Sequence, residues 1–543
     1  IVKKIEDIPD YSDSTVVRRA SRQYHAGKLR RFMMGNNYRD VWDQPVGFPV
    51  FDIGSEHGGL SIIKRGGGQQ TKSVRLEAPD ERQYVLRSVE KYVEGALPDE
   101  LRGTVAVDIV QDGISQSTPY GALVMPYLAD ATGVYHTNPE IVFVPDDPRL
   151  GIYRKEMAGK LYLYEERPDD DRRDVASFGR SEKIESTSKV LKKLENTHDH
   201  RVAQEAVLRA RLLDMVIADW DRHDDQWRWA EFDREDVSIY KPIPRDRDNT
   251  FFVAEGPVQW LVKRKWLQPK FQGFDHDTKN IPGFNFNARY FDRSFLHQTT
   301  RNQWQEAALQ MQEDLTDRVI EAAVKKGFPE EIFDLSGKET ISKLKSRRDN
   351  LPRFADEQYL FLAKKVDIPG TDDRDLFVIE RLNDQQTKVT GWELSQKKGK
   401  IKGIFYERTF NHDETSEIRV YGRKDPDKFI IKGDVDKGIR VRIIGGKDRD
   451  TIIDESHVHG LSRKTWVYDK KGKPNFVAKS RETRDLLSNR TGVNDYDREI
   501  FRYNVVLPQA YFGYSIDDGI FVGGRAYIKR FNFRDSTFHR IIG

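Results

Sequence analysis

The sequence predicts an α+β protein of several domains, and three observations support this. Strand-like alternation fills residues 58–92 and 140–166, with a helical stretch between them that Pro119 and Pro126 interrupt. Apolar residues at helical spacing then dominate residues 201–220 and 287–360. Residues 370–480 are short strands separated by Gly, Asp and Lys turns, which predicts a separate all-β region.

Length and composition set the outer limits of this prediction. The chain has 543 residues, enough for about three to four domains. Lysine and arginine (91) nearly balance aspartate and glutamate (88), so charge gives no reason to expect a nucleic-acid partner. A mean hydropathy of −0.73, with no long apolar run, excludes a helical membrane protein. The absence of cysteine excludes disulfides and thiolate metal sites.

The all-β region contains an internal repeat. The segment beginning at Ile418 aligns with the one beginning at Val441 at an offset of 23, and both continue into a Gly-x-Lys-Asp-x-Asp turn. A fixed period of this kind predicts stacked strand–turn units. The turns at 422–427 and 445–450 also resemble calcium-binding repeat turns, so Ca²⁺ is a possible ligand there and plain strand turns are the alternative.

The strongest chemical pattern follows the 201–220 helix. Asp221-Arg222-His223 comes directly after that helix, and Asp246 and Asp248 end the strand-like stretch that follows. Phosphoryl transfer needs one carboxylate to accept a proton and further oxygens to hold magnesium against phosphates. The alternative is a buried structural network of charges. We expect Trp227 and Trp229 to pack against the lobe, and His198 and His200 to lie in a solvated loop.

Residues 58–360 resemble the atypical kinase fold of spore-coat CotH proteins and, more distantly, HipA-type and phosphoinositide kinases. The resemblance rests on Asp221-Arg222-His223, on Pro244-Arg245-Asp246-Arg247-Asp248, which is similar to the CotH "PWDxD" strand end, and on the passage from Gly133 to Glu166. It implies a two-lobed protein-kinase-like (CotH-type) domain that uses ATP and Mg²⁺ if active. The catalytic residues would be Asp221, Arg222 and His223, with Asp221 as the base. The metal ligands would be Asp246, Asp248 and Gln226, and the nucleotide contacts Gly66, Gly67, Gly68, Arg87, Lys91 and Glu165.

Several positions depart from that family pattern. Gln226 stands where an Asn is expected, and either Arg87 or Lys91 would have to serve as the phosphate-binding lysine. The helix acid that orients this cation would be Asp108 or Asp112. These departures make a pseudokinase a realistic alternative to an active phosphotransferase.

A second resemblance covers more of the chain. KRGGGQQTKSVRL, DWDRHDDQWRW and IPRDRDNTFF look like the middle region of Bacteroidetes-type outer-membrane proteins that join a metallophosphoesterase to a surface-antigen (BamA-like) β-barrel. It implies a cell-envelope location at the outer membrane, in the periplasm or at the cell surface, with the chain's own barrel continuing past Gly543 as its partner. Any hydrolase activity would belong to a domain outside this chain. The acceptor substrate is unknown, and the alternative function is a non-catalytic scaffold or recognition module.

The expected organisation follows from both resemblances, and the chain is expected to be part of a longer protein. In chain order it is a polar leader (1–57), a kinase-like N-lobe (58–168), a helical C-lobe (169–366), an all-β domain (367–480), a linker (481–506) and the first strands of a β-barrel (507–543).

Overall fold

The computed structural model describes residues 10–11, 13–66, 71–93, 105–397, 399–460, 462–490, 492–515, 519–531, 533 and 540–542. Over these ranges the protein is α+β, with several separate sheets. No helix in the described ranges is long and apolar enough to cross a membrane.

The amino-terminal lobe is built on a five-stranded antiparallel sheet. Its strand order is β3-β4-β5-β7-β6, so the third strand, β5, is central. Alternating Leu76, Leu86 and Tyr162 side chains are buried on one face and form a core of their own. The elements of this lobe are β1 (Thr15–Arg19), α1 (Lys28–Met34), α2 (Arg39–Asp43), β2 (Pro45–Pro49), β3 (Ser61–Gly66), β4 (Ser73–Glu77), β5 (Gln83–Ser88), α3 (Val105–Asp112), α4 (Gly121–Ala131), β6 (Glu140–Val144), α5 (Arg154–Met157) and β7 (Lys160–Glu166).

The segment expected to be a polar leader is part of this lobe. Tyr24 and Trp42 are buried in the main core, and the Trp42 indole donates a hydrogen bond to the Ser117 carbonyl. Arg39 is buried and forms a two-pronged ion pair with Asp112 on α3. Tyr24, Arg39 and Trp42 therefore pack into the fold.

The helical lobe surrounds α7 (Gln204–Val216), which is buried around most of its circumference. The long helical stretch from 287 to 360 is divided into several helices, because Thr300 and Gln303 form a capping box that starts a new one. The other elements are β8 (Lys183–Ser186), α6 (Thr187–Asn196), β9 (His200–Val202), β10 (Trp227–Arg234), β11 (Val237–Pro244), α8 (Gly256–Val262), α9 (Ile281–Phe284), α10 (Arg289–Phe295), α11 (Arg301–Asp314), α12 (Asp317–Gly327), α13 (Glu330–Ile332), α14 (Lys338–Asp349) and α15 (Leu351–Ala363).

The region from 365 to 485 is a parallel two-sheet coil, called here the β-roll. Glu417 pairs with Arg440, and Lys428 with Thr451, which confirms the stacked units of 23 residues. The roll comprises β12 (Lys365–Pro369), β13 (Asp375–Asn383), β14 (Gln386–Leu394), β15 (Ile401–Asn411), β16 (Glu417–Arg423), β17 (Lys428–Lys432), β18 (Asp434–Val435), β19 (Arg440–Gly446), β20 (Thr451–Asp454), β21 (His457–Val458), β22 (Thr465–Tyr468), β23 (Asn475–Ala478) and β24 (Thr483–Asp485).

The repeat has an earlier copy that the sequence analysis missed. Gly370 and Asp375 occupy the positions of Gly422 and Asp427, at a separation of 52 residues. The extra length is the β14–β15 hairpin, which is inserted into the first coil and hides the period.

The carboxyl-terminal segment docks onto both preceding regions. The expected linker contributes β24 to the roll, packs Tyr496 edge-to-face against Tyr421 and places Arg498 against Asp224. Beyond it, β25 (Val505–Ser515), β26 (Gly519–Arg530) and β27 (Arg540–Ile542) form an antiparallel sheet. Asp517 and Asp518 of the expected turn lie outside the described residues.

Candidate functional site

A cleft lies between the end of β5 and two loops of the helical lobe. The Lys91 ammonium, three residues past β5, is 2.7 Å from the Asp248 carboxylate on the loop after β11. Burial alone would lower the pKa of Lys91, but the carboxylates of Asp248, Asp246 and Asp221 raise it above its usual value. These acids therefore act on one cation, as the sequence pattern predicts for residues that share a site.

The second cation of the cleft, Arg87, contacts the other acid of the pair. Its guanidinium forms a close ion pair with Glu165 on the neighbouring strand β7 and lies 3.6 Å from Asp246. Burial would raise the pKa of Asp246, but Arg87 and Arg245 lower it below its usual range. Arg87 and Lys91 thus each contact one aspartate of the cleft.

A buried ionic network holds the two loops in place. Arg247 lies between Asp246 and Asp248 in the sequence, but its side chain is buried. There it contacts Asp214 closely and Asp219 at 3.2 Å. Arg211 and Arg222 also pair with Asp214, at 2.5 and 3.4 Å. These groups are buried, and burial raises the pKa of Asp219 to about 6 despite its arginine neighbours.

The backbone at these loops is unusual. Ala218 and Asp246 have φ of +56° and +59°, a region that residues other than glycine rarely enter. Asp246 lies directly before Arg247, so the left-handed turn accompanies the inward path of that arginine. Such conformations persist where the surroundings enforce them and are enriched at functional sites.

Asp221 is oriented by residues that the sequence analysis missed. The Asn287 amide donates a 2.6 Å hydrogen bond to the Asp221 carboxylate. The Lys270 ammonium in turn donates to the Asn287 carbonyl oxygen at 3.3 Å and lies over the Trp220 ring. Asn287 and Lys270 follow the DRH segment by about fifty residues or more in a stretch without a motif, so no sequence signal indicates them.

The other residues of the DRH segment differ in exposure. Arg222 is fully buried and donates to the carbonyls of Arg245 and Gln226, which makes it a positioning residue that joins the two loops. His223 is exposed, with its Nε2 3.3 Å from the Gln226 amide nitrogen. Trp227 and Trp229 are buried against Phe291 in the helical lobe and do not enter the cleft.

The remaining residues of the predicted site are the glycines of the glycine-rich hairpin and the two helix acids, Asp108 and Asp112. Gly66 ends β3, and a Cβ there would meet the Ser73 hydroxyl at 2.8 Å, while Gly67 and Gly68 lie outside the described residues. Neither helix acid orients Lys91 or Arg87. Asp112 is taken by Arg39 and Arg30, and Asp108 lies on the exposed side of α3.

The cavity at the cleft is narrow. It measures about 40 Å³ and is bordered by Arg87, Lys91 and Asp248 together with Trp42 and Leu163. Ligand pockets usually measure about 300–1,000 Å³. The Lys91–Asp248 ion pair borders this cavity, and a nucleotide that used both groups would have to separate them.

The residues of the cleft fit a magnesium ion shared with phosphates. Asp246 and Asp248 keep 30% and 28% of their side-chain surface exposed. The buried side-chain carbonyl oxygen of Gln226 has no hydrogen-bond partner among the residues that the structure describes. Magnesium is commonly held by one or two carboxylates plus substrate phosphates. In the described ranges no three His, Asp or Glu side chains form a group that could hold a metal ion alone.

A second set of buried acids lies in the β-roll. Asp375, Asp427, Asp450 and Asp469, called here the aspartate column, occupy one side of successive coils. The Asp427 carboxylate accepts the Asp375 backbone N–H at 2.7 Å, and the Asp450 carboxylate accepts that of Asp427 at 2.9 Å. Within the described part of the chain, the second carboxylate oxygens of Asp427, Asp450 and Asp469 have no hydrogen-bond partner. Burial and the neighbouring acids raise the pKa of Asp450 to about 8. The Ca²⁺ expected at these turns stays a prediction.

The column is tied to the helical lobe through a histidine. His198 is buried, its Nε2 lies 2.6 Å from Asp375, and its ring stacks on Phe405. The expectation of a solvated loop is wrong for His198, because the roll covers it.

Comparison with known proteins assigns this chain to no family. No protein-family model and no curated protein sequence matches the chain. Among solved structures, the chain is similar to the proinflammatory kinase CtkA of Helicobacter pylori, at 12% identity, with 53% of this chain and 93% of that chain covered. The TM-score is 0.25, a value at which the likeness supports no argument about this protein.

Proposed function

We propose that the cleft is a kinase-like nucleotide site that transfers a phosphoryl group from Mg²⁺-bound ATP to an acceptor hydroxyl. One observation carries the proposal. Lys91, just past the central strand, pairs with Asp248 of the DxD loop, and Asp246 and Asp221 contribute to the same local field. Kinases place the phosphate-binding lysine on the third strand, beneath a glycine-rich turn, and face it with a metal-binding aspartate.

Each residue then has a defined task. Lys91 and Arg87 would bind the phosphates, because both are cations on the sheet side of the cleft. Asp221, oriented by Asn287, would accept the proton of the acceptor hydroxyl. Arg247 and Arg222 act at a distance by fixing the two loops.

Magnesium would be held by Asp246, Asp248 and the free carbonyl oxygen of Gln226, and it would neutralise charge on the phosphates. Gln226 is longer than the asparagine usual at this position, yet its buried oxygen lacks a partner. That unpartnered oxygen supports a ligand role.

Thermal unfolding with and without Mg·ATP tests the proposal. Ligand at about 100 times its Kd stabilises the native state by about 2.7 kcal/mol, which corresponds to a rise of several degrees in Tm. Asp248→Asn should remove most of the rise. Asp225→Asn makes the same change at an exposed neighbouring position and should leave it intact. No rise with the unaltered protein would refute nucleotide binding.

A non-catalytic module of the cell envelope is the second candidate. The narrow cavity supports it, because a cleft bordered by its own ion pair needs no ligand. This candidate predicts no nucleotide-dependent stabilisation and an unchanged fold in Lys91→Met. The outer-membrane attachment remains a proposal that rests on sequence resemblance. Fractionation of cells that express the full-length protein tests it, and recovery in the cytosol would contradict it.

A further inference from the structure

A wide cavity lies on the outer face of one sheet of the β-roll. It measures about 740 Å³, within the range typical of ligand pockets. Outward-facing residues of neighbouring strands line it, since Arg442 pairs in register with Arg419 on one side and with Trp466 on the other. The roll thus brings side chains from several coils onto one concave surface.

The cavity is strongly positive. Two carboxylates line it, Asp384 and Glu417, against six cations: Lys365, Arg419, Lys437, Arg440, Arg442 and Lys464. The whole chain has a net charge of only +3, so this excess of cations is a local feature. Fields of this kind concentrate anions.

The carboxylates do not neutralise these cations. Glu417 is shared by Arg419 at 2.6 Å, Arg442 at 2.9 Å and Arg440 at 3.4 Å. Burial would raise the pKa of Glu417, but Arg419 and Arg442 lower it to about 2. Glu417 is therefore shared by three guanidiniums, of which Arg419 has a second carboxylate neighbour, Asp367, at 3.4 Å. In the described ranges, the ammonium groups of Lys365 and Lys464 have no carboxylate within ion-pair distance.

Two of the arginines lie over one aromatic ring. The guanidiniums of Arg440 and Arg442 lie 4.3 and 4.6 Å from the centre of the Trp466 ring. Among the described residues, their buried Nε atoms have no hydrogen-bond partner. Arg442 is only 6% exposed, and its terminal nitrogens donate to the Tyr468 hydroxyl and to Glu417. Stacked arginines keep their N–H edges in a fixed plane, which suits the oxygens of phosphate or sulfate.

We propose that this cavity binds a small, multiply charged anion that carries phosphate or sulfate groups. Its volume is that of a ligand pocket. Six cations line it, more than a singly charged anion would require. The proposal is independent of the nucleotide cleft, which lies in another part of the chain.

Isothermal titration calorimetry with inorganic tripolyphosphate tests it. EDTA in the buffer removes magnesium, so that the cleft does not contribute. We expect binding that weakens as salt rises, because anion recognition here is electrostatic. Arg440→Gln and Lys464→Gln should each weaken binding about tenfold. Lys447→Gln, at an exposed position on the turn after β19, should change it less than twofold.

The same variants identify the source of the anion. Sedimentation with phosphatidylcholine vesicles containing phosphatidylglycerol, lost in Arg440→Gln, would assign the anion to a lipid headgroup. Tripolyphosphate binding without sedimentation would assign it to a free molecule. No heat from tripolyphosphate, or equal weakening by Lys447→Gln, would overturn the proposal.

Discussion

Buried carboxylates occur in two regions of this protein, and their surroundings are opposite. In the cleft, each acid faces a cation, as Lys91 faces Asp248 and Arg87 faces Asp246. In the aspartate column, acids follow one another along the roll and their free oxygens face no cation at hydrogen-bond distance in the described ranges. The charges of the cleft are thus paired with one another, whereas burial and neighbouring acids raise the pKa of the column's Asp427 and Asp450.

This difference separates a region suited to ligand binding, the cleft, from a region that sets the register of the fold, the aspartate column. Paired charges can be exchanged for a ligand that brings its own charges, so the cleft is suited to binding. Acids that accept the backbone N–H of the preceding coil set register, but as like charges they make stability depend on protonation. The predictions below test this contrast, and the largest expected effect comes first.

The ionic network beneath the cleft should be the most sensitive point. Asp214→Ala leaves Arg211, Arg222 and Arg247 with too little negative charge in a buried site. Removing one partner of a buried ion pair costs ~3–5 kcal/mol. Urea unfolding should report this loss. Asp225→Ala, at an exposed position, should cost less than about 0.5 kcal/mol. Equal effects would show that the network does not support the loops.

The aspartate column should behave in the opposite way. The pKa of Asp450 is about 8 in the folded state and ordinarily near 4, so the folded state binds the proton more tightly. Stability from this group is therefore lost as pH rises from about 4 to 8. Asp450→Asn keeps an oxygen for the Asp427 N–H and avoids this loss. We expect it to raise stability by ~1–3 kcal/mol at pH 8 and by much less at pH 4.5.

Asp448→Asn is the matched control for the column. It lies in the same turn and accepts the Asp425 N–H, but it is partly exposed. It should change little at either pH. If Ca²⁺ occupies the turns, added Ca²⁺ should stabilise the unaltered protein, and Asp450→Asn should reduce that gain. A loss of stability in Asp450→Asn at pH 8 without Ca²⁺ would contradict the like-charge account.

The junction between the two regions should have the smallest effect. His198→Phe keeps the stacking on Phe405 but removes the hydrogen bond to Asp375. Loss of one buried hydrogen bond costs ~1–2 kcal/mol, measurable by urea unfolding. His459→Phe removes an exposed histidine–aspartate pair and should cost less than about 0.5 kcal/mol. If the two variants are equally stable, His198 does not anchor the roll.

Sequence patterns predicted the strands and the stacked repeat, and they placed Asp221, Asp246 and Asp248 in one candidate site. Local periodicity and motif order carry that information. The helix break at Pro119 was also predicted, whereas Pro126 lies inside α4.

Other parts depend on contacts between distant residues and could not be predicted. Asn287 reaches Asp221 across 66 positions, and Arg39 pairs with Asp112, one of the two helix acids considered for orienting the phosphate-binding cation. The inserted β14–β15 hairpin concealed the earlier repeat copy. Tertiary packing, which no local pattern encodes, decides each of these.

Calorimetric titration of Mg·ATP into the protein tests the central claim most directly, namely that the self-paired cleft exchanges its Lys91–Asp248 pair for nucleotide phosphates. We predict saturable binding to the unaltered protein, at least tenfold weaker binding to Asp248→Asn, and binding within twofold of the original for Asp225→Asn. A tenfold change corresponds to about 1.4 kcal/mol. Absence of binding, or equal affinity in all three proteins, would contradict the claim.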